Sequence, residues 1–308
     1  MTRAVVFAYH NVGARCFLTL LAHGIDVALV VTHQDDPNEN IWFDSVQRLA
    51  AERGIPVVTP DRPDPEILRP LLEQAAPDFI FSFYYRHMIP VELLEMAPRG
   101  AFNMHGSLLP RYRGRVPVNW AVLHGEKEAG ATLHEMVAKP DAGRIAGQQA
   151  VPILPDDTAF AVFSKVTVAA EICLDRCLPG LIDGSLLLQE QDLAAGSYFG
   201  GRKPEDGRID WQQSAQALHN LVRAVAPPYP GAFADLPSGR LVLEKTLLSP
   251  APASSAGCGL YVADGELRLD TTDGRVLRLL AARLGDAPLT AERWLALHGP
   301  NKYPLPPT

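Results

Sequence analysis

Several features that would assign a class at once are scarce in this sequence. There are only four cysteines, Cys16, Cys173, Cys177 and Cys258, and their scatter gives no disulfide framework. Cys173 and Cys177 share one face of an expected helix. With no histidine or further cysteine near them in sequence, they read as core packing rather than as metal ligands. No apolar run is long enough to span a bilayer, and no basic segment followed by an apolar one opens the chain. The expectation is a soluble cytoplasmic protein with no membrane partner. Positive charge is also short: 28 Lys and Arg face 35 Asp and Glu, a net of −7. A nucleic-acid backbone is gripped through basic side chains, so no nucleic-acid partner is expected. A small anionic substrate needs only a local basic patch. Finally, the G-x-G-x-x-G dinucleotide fingerprint is missing, because the first strand-to-helix turn offers only Gly13.

What is present builds a core. At 308 residues, 47% hydrophobic and 20% charged, the chain suggests two globular domains. Ala4–Ala8, Val27–Thr32, Pro56–Thr59 and Phe79–Phe83 read as strands. They alternate with helical patterns over Ala14–His23, Trp42–Arg53 and Pro65–Ala75. This alternation predicts an α/β fold with a Rossmann-like, mostly parallel sheet and helices on both faces. Thr132–Val137 and Gln149–Ile153 read as further strands and Asp157–Leu178 as a long helix. Gly196–Gly207 reads as a loop or linker, which sets a catalytic domain over 1–203 and a second domain over 204–308. After a helix over Ser214–Arg223, short runs at Leu241–Leu243, Gly259–Val262, Leu267–Leu269 and Val276–Leu280 predict a small β-barrel, punctuated by Asp264-Gly265 and Asp273-Gly274 turns. Pro304–Pro307 reads as a loose tail.

One stretch carries chemistry: Phe102-Asn103-Met104-His105-Gly106-Ser107-Leu108-Leu109-Pro110-Arg111-Tyr112-Arg113-Gly114-Arg115. Alternate residues of a strand share a face, so Asn103 and His105 can address one small molecule. The amide can hold a developing oxyanion and the imidazole can move a proton. Asn-x-His alone also describes an ordinary packed strand histidine. Asp141, before Ala142-Gly143, could be no more than a turn residue, and Arg111, Arg113 and Arg115 no more than solvated charge. No metal-ligand spacing of His or Cys appears, and no metal is expected.

Asn-x-His-x-Ser-Leu-Leu-Pro-x-Tyr-Arg-Gly, followed by Lys139-Pro140-Asp141-Ala142-Gly143-Arg144-Ile145, resembles the paired motifs of the 10-formyltetrahydrofolate-dependent formyltransferase family. The resemblance implies 10-formyltetrahydrofolate as formyl donor, Asn103 as oxyanion donor, His105 as proton carrier, and Asp141 as the carboxylate that raises the pKa of His105. It also implies folate contacts along His87, Met88 and Ile89, along Val137, Ala138, Lys139 and Pro140, and at Arg115. Arg113 and Arg202 are candidates for the second substrate, and an OB-like barrel is implied for the C-terminal domain. Phe81 to Pro90, with Phe102 to Arg115, looks closest to one branch. That branch is the formyltransferase part of the bifunctional enzyme that handles UDP-4-amino-4-deoxy-L-arabinose for lipid A modification. No dinucleotide fingerprint follows residue 204, so a stand-alone formyltransferase is expected.

Three alternatives remain at this point: methionyl-tRNA formyltransferase, hydrolysis of the formyl donor, and a non-enzymatic folate- or nucleotide-binding module. Another nucleotide-linked amino sugar could also be the acceptor, and homo-oligomerisation is left open. Against tRNA stands the charge of Pro204 to Thr308, where 10 Lys and Arg face 11 Asp and Glu.

Overall fold

A computed structural model describes residues 1–37 and 41–305. They group into two compact units: Met1–Pro117, Glu128–Pro152 and Ser164–Gly200 in one, Val118–Lys127, Ile153–Phe163 and Gly201–Thr308 in the other.

The first unit is built on strands β1 (Arg3–Ala8), β2 (Asp26–Val31), β3 (Val57–Val58), β4 (Phe79–Phe83) and β5 (Ala101–His105). Helices α1 (His10–Ala22), α2 (Val46–Ala51), α3 (Pro65–Ala75) and α4 (Val91–Leu94) lie between them. Local sequence explains the helix starts. Asp64 accepts from the Glu66 N–H at 2.9 Å and Pro65 opens α3, as an N-cap followed by proline should. Leu68, Leu72 and Ala75 then return on one buried face. The helix expected over Trp42–Arg53 is shorter, because Ser45 caps it by accepting from the Arg48 N–H.

Spatial order in the sheet is β3-β2-β1-β4-β5, followed by β7 (Glu128–Glu135) and β8 (Ile145–Pro152). The first five strands are parallel. β7 and β8 form an antiparallel hairpin on its edge, each wider than the sequence suggests. Val5, Phe7, Leu29, Val31 and Ile80 pack with Leu68, Leu72 and Leu93. Phe79, Phe81 and Phe83 are buried, as an aromatic strand core requires. Strand order reverses between β1 and β4, and open α/β sheets bind ligands outside the carboxyl ends of the strands at such a point. β6 (Arg113–Gly114) pairs with β9 (Tyr198–Phe199) in a two-residue ribbon of the same unit. Part of the expected linker is therefore structural. Cys173 and Cys177 on α6 (Ala159–Asp183) are buried, and a Cβ on Gly147 would sit 2.4 Å from the Cys177 Sγ. These thiols do pack, against a strand that must lack a side chain there.

In the second unit α5 (Pro117–Leu123) supplies Val118 to Leu123, and α7 (Ala215–Val225) starts at Ser214, which accepts from the Ala217 N–H. An antiparallel half-barrel follows. Its strands are β10 (Ala232–Leu236), β11 (Gly239–Pro252), β12 (Gly259–Ala263), β13 (Glu266–Asp270), β14 (Arg275–Leu284), β15 (Ala287–Pro288) and β16 (Tyr303–Pro304), with α8 (Ala291–His298) before the last. Leu218, Val222, Leu241, Leu243, Leu269, Leu277 and Trp294 form its core. The Asp264-Gly265 turn has φ +52° and +75°, the geometry of a two-residue hairpin loop. The expected loose tail is corrected in part: Pro304 pairs with Gly259 and Leu305 is buried. Pro306 and Pro307 lie outside the described residues.

Candidate active site

β5 turns Phe102 and Met104 into the core and presents Asn103 and His105 on the other face. β7 lies beside it with His134 opposite Asn103 and Thr132 opposite His105. Past His105 the chain leaves as a loop, and hydrogen bonds hold that loop to the sheet. Thr132 Oγ1 donates to the Ser107 carbonyl at 2.6 Å and accepts from the Leu109 N–H at 3.1 Å. Gln148 Nε2 donates to the Leu109 carbonyl at 2.8 Å. Farther along, the Tyr112 N–H donates to Ser197 Oγ, and the Arg113 and Arg115 N–H groups donate to the Ser197 and Phe199 carbonyls.

Asp141 sits in the connection between β7 and β8 with φ +53°. Its Oδ1 lies 3.5 Å from His105 Nδ1 and 3.6 Å from His134 Nε2. Its Oδ2 accepts from the Gly114 N–H at 2.8 Å. Burial pushes this carboxyl up, but His105, His134 and the Gly114 N–H outweigh it and hold the pKa at about 2. The stabilisation from these contacts is therefore present above the unfolded value of about 4. It is lost as pH falls through about 2.

His105 is buried and donates from Nε2 to the Tyr112 carbonyl at 2.8 Å. Its pKa lies below the ordinary histidine value. Burial is the larger influence, and Asp141 and the Tyr112 carbonyl offset only part of it. Asp141 still acts in the raising direction. In Asp141→Asn the acidic limb of the kcat/KM profile, which reports a base that must be neutral, should therefore move to lower pH. An unmoved limb would show that the two side chains are not coupled.

The positions expected to meet the folate lie at loop and strand ends. Met88 is 62% exposed and Val137 42% exposed, apolar side chains suited to a flat heterocycle. Ile89 is buried, so it can offer a ligand only its main chain. His87, Arg115, Ala138 and Lys139 are exposed and Pro140 is half-buried. His33, which the sequence reading passed over, props this loop. Its ring stacks on Tyr85 at 4.2 Å, and its Nε2 accepts from the Arg86 N–H at 3.0 Å. Burial, with His87 and Arg86, lowers its pKa to about 4, so the ring stays neutral and able to accept.

The expected basic loop is not uniform. Arg111 and Arg115 are exposed, whereas Arg113 is buried, with its Nη2 3.5 Å from the Leu193 carbonyl and its Nε unpartnered. Arg202 belongs to the second unit, where its guanidinium covers the Trp120 ring at 5.0 Å and donates to the Asp206 carbonyl. Among the described residues no group of three or more His, Cys, Asp or Glu is arranged to hold a metal ion.

The profile described as Formyl transferase matches residues 5–178. The chain belongs to the formyl transferase family. A second profile, Formyl transferase, C-terminal domain, matches residues 202–299 of this formyltransferase. Solved structures agree in fold. One is an N-formyltransferase from Helicobacter canadensis in complex with folinic acid and dTDP-3-aminofucose. It is 20% identical with a TM-score of 0.71, over 91% of this chain and 99% of that one. WlaRD, a sugar 3N-formyltransferase with dTDP and 5-N-formyl-THF, is also 20% identical with a TM-score of 0.71, over 93% and 99%. A 4-N formyltransferase from Francisella tularensis is 17% identical with a TM-score of 0.62, over 77% and 93%.

Proposed function

We propose that this formyltransferase moves the formyl group of 10-formyltetrahydrofolate to the 4-amino group of a UDP-linked amino sugar, UDP-4-amino-4-deoxy-L-arabinose. The observation that carries the chemistry is the meeting of Asn103, His105 and Asp141, from a strand end and a distant turn, in one half-buried group. As the sugar amine attacks the formyl carbon, the formyl oxygen gains charge and the bond to the folate nitrogen breaks. Asn103 donates to that oxygen. His105 takes the proton the amine loses and returns one to the folate nitrogen, with Asp141 steadying the ring. Met88, Val137 and the main chain of His87 to Ile89 and Ala138 to Pro140 line the donor, and Arg115 meets its polar part. Arg113, whose Nε is unpartnered, is the candidate for the diphosphate, for which arginine forks are suited, and Arg202 is a separate candidate for the second substrate. The chemistry is assigned to residues 1–203, and 204–308 are the accessory barrel.

Support for a nucleotide sugar comes from the sugar N-formyltransferases that share the fold over more than 90% of both chains. The near-neutral charge of residues 204–308 argues against tRNA. The arabinose derivative, and with it a place in lipid A modification, rests on the resemblance of Phe81 to Pro90 and Phe102 to Arg115. The test is an acceptor screen with 10-formyltetrahydrofolate against UDP-amino sugars, dTDP-amino sugars and charged initiator tRNA. The UDP-linked 4-amino sugar should give the highest kcat/KM. Formylation of methionyl-tRNA at a comparable rate would overturn the assignment.

A further inference from the structure

His134 stands behind Asn103 and has no part in the chemistry described so far. β5 and β7 place the two residues opposite one another, so both side chains leave the sheet on one face. The His134 ring is 2% exposed and both its nitrogens are engaged. Nδ1 lies 2.7 Å from the Glu135 main-chain carbonyl. A carbonyl only accepts, so Nδ1 carries the hydrogen, and Nε2 of the neutral ring is an acceptor. The group that meets Nε2, at 3.1 Å, is the Asn103 Nδ2. Turning the carboxamide over would set its oxygen against that lone pair unless the ring gained a second proton. Asp141 Oδ1, 3.6 Å from Nε2, is the group that would balance such a charge. That carboxylate already faces His105 and accepts from Gly114.

We propose that His134, as its Nδ1–H tautomer, is a positioning residue that holds the Asn103 carboxamide by one N–H and so aims the other at the formyl oxygen. The inference rests on Asn103 as the oxyanion donor. The terminal torsion of asparagine is broad. Without a partner the group could swing, or present its own oxygen to the developing charge. Misplacement by about 1 Å is enough to slow a reaction about 10²-fold.

Turnover of 10-formyltetrahydrofolate with UDP-4-amino-4-deoxy-L-arabinose gives one arm of the test. His134→Leu should lower kcat by about 10- to 100-fold and leave the donor KM unchanged. His134→Gln, whose Oε1 can accept the same N–H, should recover most of that loss. In an Asn103→Ala background His134→Leu should have no further effect. Normal turnover by Asn103→Ala alone would remove the oxyanion reading and the inference with it. A slow Asn103→Ala, with an equal loss from His134→Leu in both backgrounds, would overturn the inference alone, since His134 would then act through Asp141 or the fold. The second arm needs no acceptor. Nitrogen-15 NMR of the free enzyme should show His134 protonated at Nδ1 and bare at Nε2, with the Nε2 resonance moving in Asn103→Ala. A protonated Nε2 at neutral pH would overturn the proposal.

Discussion

An enzyme in which alanine replaces His105 should turn over about 10²- to 10⁴-fold more slowly than its parent, the range for a lost general acid–base. Its fold should survive. The ring's polar contacts are the Tyr112 carbonyl and Asp141, and neither is a sheet hydrogen bond. Asp141→Ala should lose at least about 10²-fold through the same ring, which would no longer be steadied. The loss should fall on kcat, because the role proposed for His105 concerns protons that move only during reaction. A His105→Ala enzyme with near-parental kcat would remove the residue from the mechanism.

The second large effect is expected at a residue with no side chain. Gly114 has φ +98°, and a Cβ there would lie 2.1 Å from the Phe199 carbonyl oxygen. Gly114→Ala must therefore open the ribbon between β6 and β9 or strain the backbone, at about 1–3 kcal/mol for the conformation alone. The same residue's N–H donates to Asp141 Oδ2, so the displacement reaches the carboxylate proposed to steady His105. A lowered melting temperature is expected together with a kcat reduced by about 10²-fold, the effect of about 1 Å of misplacement. Parental values of both would show that the ribbon does not hold the site.

Much of this was legible in the sequence. The parallel strands announce themselves because a strand covered on both faces must be largely apolar, as Ala4–Ala8 is throughout and Phe79–Phe83 is but for Ser82. Asn103 and His105 could be placed together by strand periodicity alone. Long-range pairing was not legible. The register that sets His134 against Asn103, and the two-residue ribbon that ties Tyr198 and Phe199 to the loop after His105, leave no local trace. His33 stayed hidden for the same reason, since its partners Tyr85 and Arg86 come from a different strand end. The net lowering of the His105 pKa was not legible, because a motif shows the carboxylate and not the burial. Helix α8 did leave a signal, a Thr290 N-cap that accepts from the Arg293 N–H. β10 left little, since Ala232–Leu236 follows a proline-rich turn and is only five residues long.

The central claim is that Asn103, His105 and Asp141 form the centre at which the formyl group passes to an amine. Single-turnover mixing of enzyme, 10-formyltetrahydrofolate and UDP-4-amino-4-deoxy-L-arabinose tests it most directly, with tetrahydrofolate and formylated sugar both followed. The parent should form the two in equal amounts at one rate. Asn103→Ala should form them together but about 10²- to 10³-fold more slowly, as expected for one lost oxyanion donor. An Asn103→Ala enzyme that formylates the sugar at the parental rate would contradict the account.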